Sequence, residues 1–288
     1  MIYSIGEILL DIFSEEKEKS LNMSGKLGGA PFNVAANVAL NGGDIIFVGA
    51  TGDDAFGKYI ENQSKKYPIR KIILDKADSN TTIALVYLNN GERSFSFLRG
   101  ADYQISSKTI EKLPIKPGDI VHIGSLMLSE EKGRETFDSI VSFAKKKGVY
   151  ISFDANLRLD IFKNKKEAMR VFIKTFKSVD FLKLSEDELN FFGYESPESF
   201  YPMLKKGCYL FVTYGEKGSS VTYKGETIFV PSVPVNVIDS TGAGDAFYAR
   251  ILKEIASSSN IRFVDWREML SKANEDGAKA TTHYGAIL

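Results

Sequence analysis

The residues whose types and spacing most clearly suggest catalysis lie near the C-terminal end, where three small residues precede an aspartate. The run 239–247 follows an extended, Val- and Pro-rich segment and precedes a helix-compatible one, so it predicts a strand-to-helix junction. Gly242, Ala243 and Gly244 leave their backbone N–H groups uncovered at the helix start, which suits an anion. Asp245 would face that anion as a base that takes a proton from a hydroxyl attacking a phosphate.

A structural explanation competes with this chemical one, because Asp and Gly are common at helix N-caps. Asp239 or Ser240 would supply such a cap. Capping explains neither the three bare backbone positions nor the second carboxylate, at Asp245. We therefore favour a functional junction.

Strands that alternate with helices predict the parallel sheet that would position this junction. The expected architecture is a three-layer αβα sandwich, in which ligands bind at the carboxyl ends of the strands. The predicted strands are 2–13, 45–49, 120–123, 149–154, 181–184 and 209–213. The predicted helices are 30–40, 55–66, 130–147, 165–177, 246–257 and 263–283, and the range 186–206 is predicted as a helix with a further helical segment.

The alternation breaks between about residues 69 and 99, where strand-like segments occur without helices. Asn89-Asn90-Gly91-Glu92 is typical of a hairpin turn. We interpret residues 12–24 and 69–99, including a strand at 72–74, as a small β-sheet lid, since closing over a reaction excludes water. A structural insertion and a dimerisation surface remain open alternatives. The αβα domain would then comprise residues 1–11, 25–68 and 100–288.

Polar or glycine residues recur where the parallel strands should end. Each group alone is an ordinary turn, but their recurrence at one edge of a sheet indicates a site. The sequence has no G-x-x-x-x-G-K-[ST] and no G-x-G-x-x-G after its first strand, which argues against a Walker loop and a dinucleotide oxidoreductase. The groups are Asp11, Gly49 to Asp53, Asp154 to Arg158 and Thr213 to Gly215.

Composition excludes several other classes of protein. The 37 basic and 37 acidic residues cancel, so charge gives no reason to expect nucleic acid or an anionic membrane as a partner. Cys208 is the only cysteine, so no intramolecular disulfide can form and a reducing, cytoplasmic location is expected. With only His122 and His283 beside it, a His/Cys zinc site is not expected either. The N-terminal segment 1–13 predicts a first strand rather than a signal peptide.

Two separated motifs resemble those of the ribokinase-type (PfkB) carbohydrate kinases. One is Gly28-Gly29-Ala30-Pro31-Phe32-Asn33-Val34-Ala35, followed by Gly42 and Gly52, and the other is the run 239–245. The resemblance spans nearly the whole chain and implies a ribokinase-like α/β fold. Within the family, Ser4-Ile5-Gly6-Glu7, Phe97 to Asp102 and Phe153 to Arg158 most resemble the fructokinase branch.

The resemblance implies an ATP- and Mg²⁺-dependent kinase that phosphorylates a primary hydroxyl, with fructose as the first expectation. The alternatives are the same chemistry on 2-keto-3-deoxygluconate, ribose or a nucleoside, and a non-catalytic sugar or nucleotide sensor. Asp245 would be the catalytic base, and Gly242, Ala243 and Gly244 the anion hole. Arg158 would meet the phosphate, with a surface ion pair as its alternative.

The sugar side of the implied site consists of short polar side chains and bare glycines. A carboxylate and an amide suit hydroxyl groups, and glycines let a sugar approach the backbone. Their structural alternatives are a solvent contact, a turn and a helix cap. Arg99 would either close onto the substrate or hold the hairpin in place. The other residues in this set are Asp11, Gly28, Gly29 and Asn33.

On the nucleotide side, the resemblance implies contacts to phosphate, to the nucleotide loop and to adenine. Glu188 would hold Mg²⁺ through water, although Ser185 and Glu188 also match a capping box. Asp239 and Thr241 would hold a monovalent cation such as K⁺. The implied nucleotide contacts are Lys183, Ser185, Thr213, Gly215, Gly218 and Asn274.

One departure from the family pattern lies just beyond the junction. The family usually has a glycine where this sequence has Ala249 or Arg250. We therefore expect the helix packing or the local charge to differ at this point.

Overall fold

Two β-sheets organise the computed structural model, which describes residues 1–17, 20–89, 92–258, 260–261 and 264–288. The strands are β1 (Ile2–Ile5), β2 (Leu9–Lys17), β3 (Ser20–Gly28), β4 (Ile45–Gly52), β5 (Lys71–Ala77), β6 (Ile83–Asn89), β7 (Glu92–Leu98), β8 (Ile120–Ile123), β9 (Tyr150–Asp154), β10 (Phe181–Ser185), β11 (Tyr209–Thr213), β12 (Gly218–Tyr223) and β13 (Glu226–Pro231).

The large sheet has the order β13-β12-β11-β10-β9-β8-β1-β4-β5. Every pair of neighbours from β11 to β5 is parallel, and β12 and β13 extend the sheet as antiparallel strands. The small sheet has the order β3-β2-β6-β7, with one parallel pair between β2 and β6. A mostly parallel central sheet with a separate small sheet is the predicted fold class.

Helices cover both faces of the large sheet, so the sheet separates two apolar cores. On one face α1, α2, α8 and α9 pack against residues such as Ile2 and Phe47, and on the other α3 to α7 pack against residues such as Ile5 and Val48. This is the three-layer αβα arrangement. The helices are α1 (Ala30–Leu40), α2 (Ala55–Ser64), α3 (Ser107–Glu111), α4 (Glu131–Lys147), α5 (Lys165–Phe176), α6 (Glu186–Phe191), α7 (Pro197–Phe200), α8 (Ala243–Ser257) and α9 (Trp266–Ala280).

The predicted first strand, 2–13, is wrong because it is two strands in different sheets. β1 ends at Ile5, and Gly6 follows with φ +156°. The chain then enters the small sheet as β2, which pairs with β3 along its whole length. Asp11 therefore lies within the small sheet and does not end a strand of the large one.

The assignment of residues 72–74 to the small sheet is also wrong. β5 pairs with β4 in parallel from Ile46↔Lys71 onward and forms the edge of the large sheet. A parallel neighbour joined through one helix, here α2, is the common right-handed crossover, and its strand packs Ile72 and Leu74 against the core. The small sheet thus consists of β2, β3, β6 and β7, and the hairpin residues Asn90 and Gly91 lie outside the described residues.

The helix with a further helical segment that was predicted at 186–206 corresponds to α6 and α7, which a turn separates. α6 ends before Gly193, whose φ of +86° cannot continue a right-handed helix. α7 restarts with Ser196 as its N-cap and Pro197 in its first turn. α6 begins at Glu186, directly after β10 ends at Ser185, so its N-terminus lies at the carboxyl end of β10 where the candidate site is.

Candidate active site

The strand-to-helix junction begins at Gly242, which adopts a left-handed conformation with φ +78°. A Cβ at this position would collide with Ala286, so only glycine fits the turn. α8 starts immediately afterwards, with Ala243 and Gly244 in its first turn and Asp245 behind them. The junction therefore presents backbone donors and the positive end of the helix dipole to the cleft.

Asp245 is bound by the first of the two sequence motifs. The Nδ2 of Asn33, in α1, donates a hydrogen bond of 2.8 Å to Asp245 Oδ2 across 212 positions of sequence. Burial raises the pKa of Asp245, while the Asn33 hydrogen bond and the charges of Lys183 and Arg158 act in the lowering direction. The carboxylate is thereby held in place and is more basic than an ordinary aspartate, as a proton acceptor must be.

A buried ion pair lies against the junction. β9 and β10 align Asp154 beside Lys183, whose Nζ lies 3.2 and 3.0 Å from the two carboxylate oxygens. Burial alone would lower the pKa of Lys183, but the charges of Asp154 and Glu188 raise it, so the ammonium stays charged. A Cβ on Gly244 would lie 2.8 Å from this Nζ. The bare Gly244 leaves room for the ammonium beside the anion site.

Hydrogen bonds also attach α8 to the sheet below it. Ser152 Oγ donates to Tyr248 Oη at 2.8 Å, and His122 Nδ1 lies 3.1 Å from the same Oγ. Burial lowers the pKa of His122 to about 3, so its ring is neutral. His283 instead contacts the Ile287 carbonyl oxygen at 3.0 Å. Both histidines therefore have packing roles.

Two cavities meet at the junction. The first, of about 730 Å³, is polar and bounded on one side by Leu9, Asp11 and Phe97 of the small sheet. The second, of about 680 Å³, runs along the segment 232–237 and the helices α8 and α9. Both are lined by Thr213, Gly215, Ser240 and Gly244. A ligand in one cavity can therefore approach a ligand in the other beside Gly244, with Asp245 in the lining of the first cavity.

The structure places three of the short sugar-side residues in the lining of the first cavity and one outside it. Asp11, Gly29 and Asn33 line the first cavity. Gly28 does not: its bare Cα faces the Asp11 side chain, so the glycine makes room for that carboxylate. Asp11 thus reaches the predicted site from the small sheet.

Arg99 adopts the second of its two expected roles. Its guanidinium binds both carboxylate oxygens of Asp102, at 3.1 and 2.7 Å, and donates to Ser129 Oγ at 2.7 Å. It is not among the residues that line the cavity, so the structure favours a role in holding the end of β7. Arg158, by contrast, lines the cavity and donates to the Leu157 carbonyl at 3.3 Å.

Glu188 forms the capping box that the sequence offered as an alternative. Its oxygens accept the N–H groups of Leu157 at 2.6 Å and of Ser185 at 2.7 Å, and its own N–H bonds Ser185 Oγ. Ser185, Glu186 and Asp187 line the cavity in front of it. In the described ranges, no group of three or more His, Cys, Asp or Glu residues is arranged as a metal site.

The remaining predicted nucleotide residues line the second cavity together. Thr213 ends β11 and Gly215 lies in the turn that follows it. Gly218 has φ +129°, and a side chain there would collide with Val230. The Asn274 amide accepts from Ser219 at 2.7 Å and donates to the Val230 and Pro231 carbonyls at 3.1 Å. Asn274 therefore anchors the segment that forms the cavity wall.

The proposed monovalent-cation residues lie just before the junction. Asp239 is buried, and its oxygens accept the N–H groups of Thr241 at 2.8 Å and Gly285 at 3.3 Å. The carboxylate thus connects the turn to the C-terminal segment. A cation here would find an oxygen-only set of donors, which suits a hard ion.

Sequence reasoning did not single out Glu7 as a site residue, although it lines the first cavity and is buried. Its pKa is raised to about 8, chiefly by burial; the charges of Asp102 and Asp245 contribute to the rise, while its own backbone N–H and the charge of Arg99 oppose it. Its position after β1, at a carboxyl strand end, was the available signal. Asp154, the partner of Lys183, was noticed only as part of such a strand end.

Among the residues that the structure describes, no helix is long and apolar enough to cross a membrane.

This fold and cleft are those of a known class of phosphotransferase. The pfkB family of carbohydrate kinases matches residues 1–288, so the chain belongs to that family. Fructokinase-2 of Oryza sativa subsp. japonica is 34% identical over 304 residues, which covers 100% of this chain and 90% of that protein.

Two solved structures show similarity of both fold and sequence. Fructokinase with bound ATP from Xylella fastidiosa has a TM-score of 0.87 at 26% identity, covering 99% of this chain and 93% of that one. A fructokinase double mutant from Vibrio cholerae, with fructose, ADP and a potassium ion bound, has a TM-score of 0.86 at 26% identity and the same coverage.

Proposed function

We propose that this protein transfers the γ-phosphoryl group of ATP to a primary hydroxyl of fructose and forms fructose 6-phosphate. The observation that carries the proposal is the position of Asp245, hydrogen-bonded to Asn33 where the two cavities meet beside Gly244. A sugar in the polar cavity and a nucleotide in the second would bring a hydroxyl and a terminal phosphate together there. The choice of fructose is supported by the relatives.

In the proposed reaction, Asp245 accepts the proton of the sugar hydroxyl as that oxygen attacks the γ-phosphorus. The new oxygen–phosphorus bond forms in line with the bond to the β,γ-bridging oxygen, which breaks and leaves with ADP. The N–H groups of residues 242–244 and the Lys183 ammonium lie where negative charge develops. Fixed donors of this kind act mainly by electrostatic preorganisation.

The sugar would be held by Asp11 and Asn33, which line the polar cavity, with Gly29 allowing close approach to the backbone. Asn33 Oδ1 is buried without a hydrogen-bond partner and supplies an acceptor for a hydroxyl. Arg158, on the same lining, offers a permanent charge to the phosphate. Closure of the small sheet over the sugar is part of this proposal.

The donor set fits Mg²⁺ carried by the nucleotide. Glu188 has one N–H on each carboxylate oxygen, which leaves lone pairs for a water, and Asp187 lines the cavity beside it. Mg²⁺ keeps several waters and needs only one or two carboxylates besides phosphate. When bound, it would neutralise charge on the phosphates. Asp239 and Thr241 remain the proposed site for K⁺.

A panel of sugars with ADP release as the readout tests the proposal. We expect turnover of fructose, whereas a different preferred sugar, such as ribose, 2-keto-3-deoxygluconate or a nucleoside, would move the assignment within the family. The Asp245→Asn variant should lose turnover by on the order of 10³-fold and keep sugar binding, because the amide cannot take the proton. The wild-type protein binding sugar without turning over ATP would instead establish a sensor.

Two features of the proposal concern partners and location. A homodimer through the small sheet would cover its exposed residues Met23 and Leu98, and analytical ultracentrifugation would test it. A cytoplasmic location is supported by a single, buried cysteine, Cys208, and fractionation of expressing cells would test it.

A further inference from the structure

Glu7 occupies an unusual position in the wall of the polar cavity. Both of its carboxyl oxygens are buried and have no hydrogen-bond partner. Buried polar groups are almost always paired, and each exception in a folded protein requires an explanation. An unpaired carboxylate in such a place is strongly unfavourable, whereas a neutral carboxylic acid is much less so.

Two glycines make room for Glu7. A Cβ on Gly29 would collide with the Glu7 carbonyl oxygen, and a Cβ on Gly124 would collide with its Oε2. Gly29 belongs to the turn that begins α1, and Gly124 follows β8. Glu7 therefore lies between the turn after β8 and the turn before α1, whose Gly29 lines the polar cavity.

The charged groups that act on Glu7 lie in two parts of the chain. Asp102, which is bound to Arg99 by an ion pair of 2.7 Å, follows β7. Asp245 reaches it from α8. Burial is the largest influence on Glu7 and the two aspartates act in the same direction, whereas its own backbone N–H and Arg99 oppose them, so its pKa is raised to about 8. At neutral pH the carboxyl is thus mostly protonated.

We propose that Glu7 is a positioning residue for the sugar, because its side chain fills the space between the Gly29 and Gly124 turns in the wall of the polar cavity. Loss of its proton places an unpaired negative charge in this wall, and the turns separate to admit water. The sugar site then loosens while the nucleotide cavity, which Glu7 does not line, is unaffected. This inference rests on the proposed function.

The test is the pH dependence of both kinetic constants from pH 6 to pH 10. For the wild type, kcat/KM for fructose should fall by about tenfold per pH unit above pH 8, the slope of a single ionisation, with KM for ATP unchanged. Glu7→Gln is neutral at every pH, so its profile should lack this fall. At pH 7 its KM for fructose should lie closer to the wild-type value than that of Glu7→Ala. Glu111→Gln, at an exposed position, is the control.

An alkaline fall that persists unchanged in Glu7→Gln would overturn the proposal, as would a wild-type KM for fructose in Glu7→Ala. If Glu7→Ala does not fold, the profile of Glu7→Gln still decides. If the folded wild type turns over no sugar, the proposed function fails. The proton on Glu7 can then still be tested, because calorimetric sugar binding and the unfolding midpoint report its pH dependence without turnover.

Discussion

The two halves of the cleft differ in how their buried polar groups are satisfied. On the phosphate side, Lys183 and Asp154 bind each other. On the sugar side, Glu7 and Asn33 carry the buried side-chain oxygens that have no partner, and within the described residues no other side-chain atom is in that state. On the phosphate side the buried polar groups are therefore paired within the protein. The sugar side contains buried polar atoms that a ligand or a proton must satisfy.

This difference suggests a division of labour. A preorganised phosphate side stabilises charge without reorganising, which increases the rate of the chemical step. A sugar side with unpaired acceptors gains hydrogen bonds when hydroxyl groups arrive, which favours binding of a polyol. Substitutions in the phosphate half should therefore lower kcat, and substitutions in the sugar half should mainly change KM for the sugar.

After substitution of Asp245 itself, the largest effect is expected for Lys183→Met, which removes the ammonium beside Gly244 and keeps the length of the side chain. Without its partner, buried Asp154 should take up a proton. We expect kcat to fall by about 10²- to 10³-fold, the typical loss of one preorganised donor, with KM for fructose nearly unchanged. Steady-state kinetics with both substrates varied would measure this.

Lys174→Met provides the matched control, because Lys174 pairs with Asp138 at 2.8 Å on an exposed surface. Its kinetic constants should equal those of the wild type. A normal kcat with a raised KM for fructose in Lys183→Met would contradict the division between the two halves.

This division was only partly predictable from the sequence. The residue types alone predicted the junction at Gly242 to Asp245, because small residues before a carboxylate at a helix start have few structural uses. The resemblance assigned Asn33 to the sugar, and its hydrogen bond to Asp245 was not predicted. The Lys183–Asp154 pair depends on the register of β10 with β9, which no local pattern contains.

The errors in the fold have a common physical cause. Apolar alternation reports that a strand is buried, but it does not report which sheet receives it. The run 2–13 was predicted as one strand because the sequence does not indicate that Gly6 adopts a φ of +156° and ends β1. Residues 72–74 look like their neighbours in the small sheet, yet β5 pairs with β4. Glu7 was overlooked because an unpaired carboxyl is visible only after the surrounding turns are in place.

The second prediction uses the stability of the folded protein to test the proton on Glu7. The folded-state pKa is raised to about 8 from an ordinary value of 4.5. The contribution of Glu7 to the free energy of unfolding is therefore greatest below pH 4.5, decreases between pH 4.5 and 8, and is constant above pH 8. The slope in this window is about 1.4 kcal/mol per pH unit.

The free energy of unfolding from urea titrations at several pH values would measure this slope. The difference between the wild type and Glu7→Gln isolates the Glu7 contribution from other titrating groups. A difference that does not change between pH 5 and 8 would show that Glu7 is not protonated in the folded state.

The third prediction concerns Asn33, which joins the two halves. Asn33→Ala removes both the hydrogen bond to Asp245 and the unpaired acceptor, so KM for fructose should rise by about tenfold, the equivalent of one hydrogen bond. Asn33→Asp should be worse, because a second carboxylate next to Asp245 raises the pKa of the pair. Raising the pH deprotonates this pair, so the activity of Asn33→Asp should increase with pH and should be lowest at low pH. Equal kinetics for the two variants would argue against the contact to Asp245.

The smallest effect is expected at Arg250, where the family usually has a glycine at this or the preceding position. The guanidinium binds Asp276 at 2.8 Å, Asn41 at 2.9 Å and Glu254 at 3.4 Å, and so connects α8 to α9 and α1. Because these contacts are partly exposed, Arg250→Ala should cost about 1 kcal/mol of unfolding free energy. Arg250→Gly should cost about 1 kcal/mol more through helix propensity. Neither variant should alter kcat or either KM, because the contacts of Arg250 lie outside both cavities. A kinetic effect would mean that the position of α8 depends on its attachment to α9, and the separation of the cleft into two independent halves would then fail.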